Sequence, residues 1–250
     1  MLKYSPWPLI LSLRLPLIML ILVRVIIINF SPIIFFYSTT IVFVMTVWWR
    51  DASREAETGQ HSNEIYTILQ IGIVMLITSE VLFFFCFFWS FFWYNLLTNA
   101  AAGISWPPIG VTLANPYETP ALNRVILLSS SVTVTWAHHM ITVEEHSEII
   151  KRIILTIILA LTFLTLQTYE YIKSNFSISD SRYGAIFFII TGFHGAHVLA
   201  GKTMLIVATK RIKIGKLNKK ILNNLEIAIW YWHFVDVVWL FLFVWLYWIP

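Results

Sequence analysis

Cysteine is nearly absent: Cys86 stands alone in 250 residues. One thiol excludes an internal disulfide and any thiolate-built metal cluster. Charge is scarce as well. Charged residues make up 12% of the chain against 58% hydrophobic ones, and the mean hydropathy of +0.76 departs from the composition of soluble domains. Internal repeats and low-complexity tracts are missing, which argues against an inverted-repeat carrier. The net charge of +4 and the pI near 9.2 would suit a nucleic-acid partner. The cations lie beside hydrophobic runs, however, where they orient a membrane protein, so no nucleic-acid partner is expected.

What is present is apolar length. Seven runs, at 8–30, 33–49, 65–97, 120–142, 150–172, 183–209 and 226–249, are each long enough to cross a hydrocarbon core as a helix. Barrel strands would alternate with a period of two, and these runs do not. The third, Ile65 to Leu97, would reach about 50 Å at the helical rise, so it must tilt or project. Polar stretches separate the runs, notably Arg50 to Glu64 and the proline-rich 99–120 with Trp106-Pro107-Pro108. Seven crossings gather Lys3, Arg50, Arg54, Lys151, Arg152 and six cations between 210 and 220 on one face. The other face has Arg124, Lys173 and Arg182, which predicts the N-terminus inside. Residues 1–30 are apolar almost throughout and read as a retained first span, the pattern expected of a protein made inside the organelle that houses it.

Few side chains in the runs can carry chemistry. Seven histidines invite a metal reading, but His138 and His139 are adjacent, about 100° apart around a helix, and His194 with His197 supply only two ligands on one face. His61, His146 and His233 stand apart, so no metal, haem or copper site is expected in this chain and a haem-copper catalytic subunit is disfavoured. Glu80 is the one Asp, Glu, Lys, Arg or His from Ile65 to Leu97. An intramembrane carboxylate costs about 2.5–3.5 kcal/mol to insert, and Glu80 reads either as an acid bonded to a neighbouring helix or as a proton-handling group. A proton-coupled carrier centred on it is the rival function. His233 and Asp236 have the i,i+3 spacing of a structural polar pair. Gln167 and Glu170 repeat that spacing, where an interfacial position suffices. Gly192, Ala196 and Ala200 form a smooth strip for close helix approach. Arg14 and Arg24 are placed to snorkel toward opposite interfaces.

Several strings then act together. Trp48-Trp49-Arg50-Asp51, Ser79-Glu80-Val81-Leu82-Phe83-Phe84, Trp106-Pro107-Pro108, Trp136-Ala137-His138-His139, Gly192-Phe193-His194-Gly195 with His197, and Trp230-Tyr231-Trp232-His233-Phe234-Val235-Asp236 resemble, in order and spacing, cytochrome c oxidase subunit III. The resemblance implies an all-α integral membrane protein with seven transmembrane helices, the first two splayed from the other five around a phospholipid-filled V-shaped cleft. It divides the chain into 1–49 (helices one and two), a matrix-side polar linker at 50–64, and 65–250 (helices three to seven). It further implies a multi-pass protein of the mitochondrial inner membrane, N-terminus on the matrix side, with no catalytic centre of its own. Such a subunit sits with other oxidase subunits beside subunit I, stabilises it, helps deliver protons or oxygen, and leaves haem and copper to its partners. The family's intramembrane carboxylate falls on Glu80, and its lipid-headgroup contacts fall near Trp48, Trp49, Arg54 and Arg211. The chain departs from the family pattern at His61, which stands alone where a pair is usual, at Val111-Thr112, at Arg14 and Arg24, and in the lysine-dense 210–220 segment.

Overall fold

A computed structural model describes residues 5–28, 32–59, 62–101, 106–108, 111–142, 145–214 and 219–249. His61 and Lys216 lie outside them, as do Lys3 and the side chains of Arg24, Lys219 and Lys220. Among the described residues seven α-helices occupy the seven apolar runs: α1 (Trp7–Ile28), α2 (Pro32–Glu57), α3 (Asn63–Ala101), α4 (Thr119–Thr142), α5 (His146–Lys173), α6 (Arg182–Ile214) and α7 (Lys219–Leu242). A π-helical stretch, Phe243–Trp248, continues α7. Among the described residues there is no strand.

Four helical segments are long and apolar enough to cross a membrane: Glu64–Leu96 of α3, His146–Lys173, Arg182–Ile214 and Leu222–Trp248. Trp7–Leu17 of α1 is a shorter apolar stretch, and α4 is diluted by polar side chains. Within α4, the hydroxyls of Ser129, Ser130, Thr133 and Thr135 each donate to a carbonyl three or four residues earlier, at 2.6–2.8 Å. Such back-bonding satisfies a hydroxyl inside its own helix, which keeps a serine- and threonine-rich segment compatible with an apolar setting. α2 runs past its apolar stretch through Arg50-Asp51 to Glu57. The polar 50–64 stretch therefore starts as helix, because Ala52, Arg54, Glu55 and Ala56 are good helix formers, and turns at Gly59 with a φ of 82°.

The chain separates into two compact units, residues 1–68 and 69–250, with the division inside α3. In the first, α1 packs on α2, and the Trp7 indole Nε1 donates to Asp51 Oδ2 at 2.9 Å. That bond, with the Arg50 guanidinium 3.2 Å away, holds the Asp51 carboxyl below its usual range.

In the second unit α4 and α5 form a closely packed hairpin, and α6 and α7 close around it. Trp232 and Trp239 of α7 are fully buried, together with Phe163 of α5 and Leu127 and Val134 of α4. The Trp232 indole N–H finds Ser130 Oγ at 3.0 Å, which satisfies that buried donor. α6 packs tightly on α7 at Gly201, where an added Cβ would lie 3.0 Å from the Trp232 ring. The expected smooth strip lies elsewhere. A Cβ on Gly192 would meet nothing within 4 Å, and Ala196 and Ala200 are exposed, so that strip faces away from the other helices of this unit. Helical phase decides this: Gly201 shares the buried face with His194, Val198 and Leu205, which Gly192, Ala196 and Ala200 do not.

Long side chains tie α3 to this unit. Phe83 meets Phe193, Phe92 meets Trp245, and Gln70 donates to Asn223 at 2.7 Å.

Candidate functional site

Glu80 projects from α3 toward α6, and its Oε2 lies 2.9 Å from His197 Nε2. The two side chains are 27% and 12% exposed, so the contact is largely withdrawn from the surface. Rings surround it: Phe84 is 5.1 Å from the imidazole centroid, Phe234 6.2 Å, and Tyr231 is stacked at 6.4 Å. Phe83 and Phe87 pack on Phe193 just beyond.

The other imidazole nitrogen determines what this contact can be. His197 Nδ1 lies 2.7 Å from the Phe193 carbonyl oxygen, one helical turn back. A carbonyl oxygen only accepts, so Nδ1 carries the hydrogen. Two arrangements remain for Nε2. A neutral His197 accepts the proton of a Glu80 carboxylic acid, or a protonated His197 donates to a Glu80 carboxylate. Each holds one proton between Oε2 and Nε2, and each has no net charge. The pair can therefore shift a proton across 2.9 Å without placing a net charge in an apolar setting, which is where an unpaired charge would be most costly.

The adjacent histidine does not join. His194 is 1% exposed, its Nε2 donates to the Val235 carbonyl at 3.2 Å, and its ring packs against Trp239 and Phe163. Despite the i,i+3 spacing the neighbouring helices part the two rings, His194 into the α5–α7 core and His197 onto α3. Among the described residues no three His, Cys, Asp or Glu side chains gather as a metal site would need. His138 lies 3.5 Å from Glu226 on α7.

His233 and Asp236 are not joined by a hydrogen bond or by an ion pair within 4 Å. His233 Nε2 instead lies 3.4 Å from Thr135 Oγ1 of α4, while Asp236 is 6% exposed with Oδ1 unpartnered. The i,i+3 spacing permits a contact within α7, but α4 offers a hydroxyl across the interface and the imidazole turns to it. The lipid-headgroup candidates divide between the two units. Trp48, Trp49 and Arg54 stand on the last turns of α2 beside the Trp7–Asp51 bond, Trp49 and Arg54 being exposed; Arg211 stands in the last turn of α6.

One cluster escaped the sequence reading. Gln167 and Glu170, expected to be interfacial, are 4% and 7% exposed. Gln167 Oε1 accepts from Asn123 of α4 at 3.3 Å, and Gln167 Nε2 donates to the Tyr247 hydroxyl at 3.5 Å. The Gln-x-x-Glu spacing was visible, but its partners stand 44 and 80 residues away, beyond any local pattern.

Whole-chain comparison decides between the readings. The family model described as cytochrome c oxidase subunit III matches residues 1–250. The chain belongs to the cytochrome c oxidase subunit III family. It is 42% identical over 249 residues to cytochrome c oxidase subunit 3 of Paracentrotus lividus, covering 98% of this chain and 95% of the relative. It is 46% identical to the subunits 3 of Patiria pectinifera and Drosophila melanogaster, covering 84% and 83% of this chain and 82% and 80% of those proteins. Membership in the subunit III family makes the chain part of an oxidase complex with other subunits, and with its membrane-capable helices places it among mitochondrial membrane proteins. Within the subunit III sequence, Glu80 belongs to the Ser79-Glu80-Val81-Leu82-Phe83-Phe84 string that carried the resemblance, and His197 to the Gly192-Phe193-His194-Gly195 string with it.

Proposed function

We propose that this chain is the non-redox supporting subunit of the oxidase. All seven helices cross the mitochondrial inner membrane with the N-terminus on the matrix side, as the cation asymmetry favours. The chain sits beside catalytic subunit I, prolongs its working life during turnover, and holds phospholipid in a V-shaped cleft between α1–α2 and the other five helices. Trp48, Trp49, Arg54 and Arg211 take the headgroups, since a guanidinium grips phosphate with two parallel hydrogen bonds and an indole suits the interface. Haem and copper belong to the partner subunits.

One observation carries this reading over a carrier built on Glu80: the carboxyl is met by His197 within a ring of aromatic side chains. A carrier needs its acid to open onto a polar route, whereas an internally satisfied pair serves a scaffold and can pass a proton locally to a neighbour. The test is oxidase purified with and without this chain. Support is a shorter turnover lifetime and loss of bound phospholipid when the chain is missing, and fewer retained lipids in Arg54→Ala and Arg211→Ala. The isolated chain catalysing proton flux in liposomes would establish the carrier instead.

A further inference from the structure

We propose that Glu170 is a second proton-binding site of this chain, in water contact through a cavity between the 111–120 segment and the end of α5. The cavity has a volume of about 470 Å³ and is lined by Asn115, Glu118, Lys173, Phe176 and Glu170 itself. At roughly 30 Å³ of liquid volume each, it has room for on the order of ten waters.

Glu170 is 7% exposed, and neither carboxyl oxygen receives a hydrogen bond from the described side chains. A carboxyl withdrawn from bulk water and left without donors is costly to keep, and native proteins keep such groups where water or a proton completes them. Its neighbours are arranged for that. Tyr247, buried in the π-helical stretch that continues α7, brings its hydroxyl close to the Glu170 carboxyl, and π-turns are enriched at functional positions. Gln167, one turn earlier on α5, turns its amide to Asn123 and to the Tyr247 hydroxyl.

The titratable groups facing Glu170 are Tyr171 of its own helix, Tyr183 of α6 and Tyr247. α4 presents neutral Asn123 on this side. The charged groups of the cavity, Glu118 and Lys173, oppose each other in sign. Within this set Glu170 is the carboxyl that is withdrawn from bulk water yet lines the cavity. A water in the cavity gives its proton to a Glu170 oxygen and takes it back, and no other bond changes. The site is distinct from Glu80–His197, where the carboxyl meets an imidazole 2.9 Å away.

The test is infrared difference spectroscopy of the assembled oxidase in nanodiscs, where both faces meet solvent, so orientation does not enter. A pH step should give a carboxylic C=O band that moves down in D₂O and is lost in Glu170→Gln. Ala114→Trp, which fills the cavity beside the acid, should keep the band and slow its deuterium shift. If Glu170→Gln fails to assemble, Glu170→Asp supplies the readout by displacing the band. A spectrum unchanged by either Glu170 variant overturns the proposal, as does a deuterium shift that Ala114→Trp leaves equally fast.

Discussion

Replacing His197 by phenylalanine removes two ring nitrogens and keeps a ring against Phe84 and Tyr231, so it isolates the bond to Glu80 from the packing around it. What is lost is one hydrogen bond with ionic character, 2.9 Å long, between side chains 12% and 27% exposed. Leaving a buried acceptor or donor unpaired costs about 1–3 kcal/mol, and partial exposure of Glu80 places the expected loss near ~2 kcal/mol. Glu80→Gln behaves differently. Because His197 Nδ1–H is committed to the Phe193 carbonyl, Nε2 of a neutral ring can accept from the new amide, so a hydrogen bond survives and the loss is ~1 kcal/mol or less. Glu80→Leu strands His197 and should resemble His197→Phe. The assay is calorimetric melting of the purified oxidase, following the transition that releases this chain; ~2 kcal/mol corresponds to roughly 4–8 °C for a chain of this size. A double-mutant cycle of Glu80→Leu with His197→Phe should give a coupling of ~1–2 kcal/mol. Additivity within about 0.5 kcal/mol, or equal losses for Glu80→Gln and Glu80→Leu, would refute the shared-proton bond.

Three further outcomes are expected. Gly201→Val should destabilise the α6–α7 contact by about 1–3 kcal/mol, since its Cβ starts 3.0 Å from a fully buried Trp232 ring that has no room to retreat; unchanged melting would mean the helices separate freely. Trp232→Ala removes that ring and its bond to Ser130 and should cost about 3–5 kcal/mol, read as loss of this chain from purified complex. Trp7→Phe should return the Asp51 carboxyl toward its ordinary range. With Trp7 in place the folded pKa is depressed, so the contribution is present above the ordinary carboxylate range and lost as pH falls through the lowered value. The variant should therefore lose melting temperature near neutral pH and show a smaller drop on acidification to about pH 3, whereas identical acid profiles would deny the bond a part in stability.

Much of the fold was legible because membrane helices obey a local rule. With no water to take up backbone hydrogen bonds, each apolar run must satisfy them within itself, so run length alone announces a helix. The same locality carried Glu80, whose isolation among apolar neighbours marks it without any knowledge of its partner. The reach of that rule ended at the side chains. His194 and His197 look equivalent by spacing, and only the positions of α3 and α7 send one ring to Glu80 and the other to the Val235 carbonyl. His233 and Asp236 were pairable by spacing, and α4 took the imidazole instead. The small strip at Gly192, Ala196 and Ala200 had the right period and the wrong phase, a distinction of one helical face that depends on which neighbours arrive.

The sequence by itself determined the membrane class, the seven helices, the family and the one acid in the third span, because each rests on residues close along the chain or on strings matched in order. Tertiary structure alone decided that Glu80 meets a histidine 117 positions away, and that Glu170 is buried beside a cavity. The physical reason is that a polar group's state depends on who donates to it and how much water reaches it, and both are set by helices meeting in space.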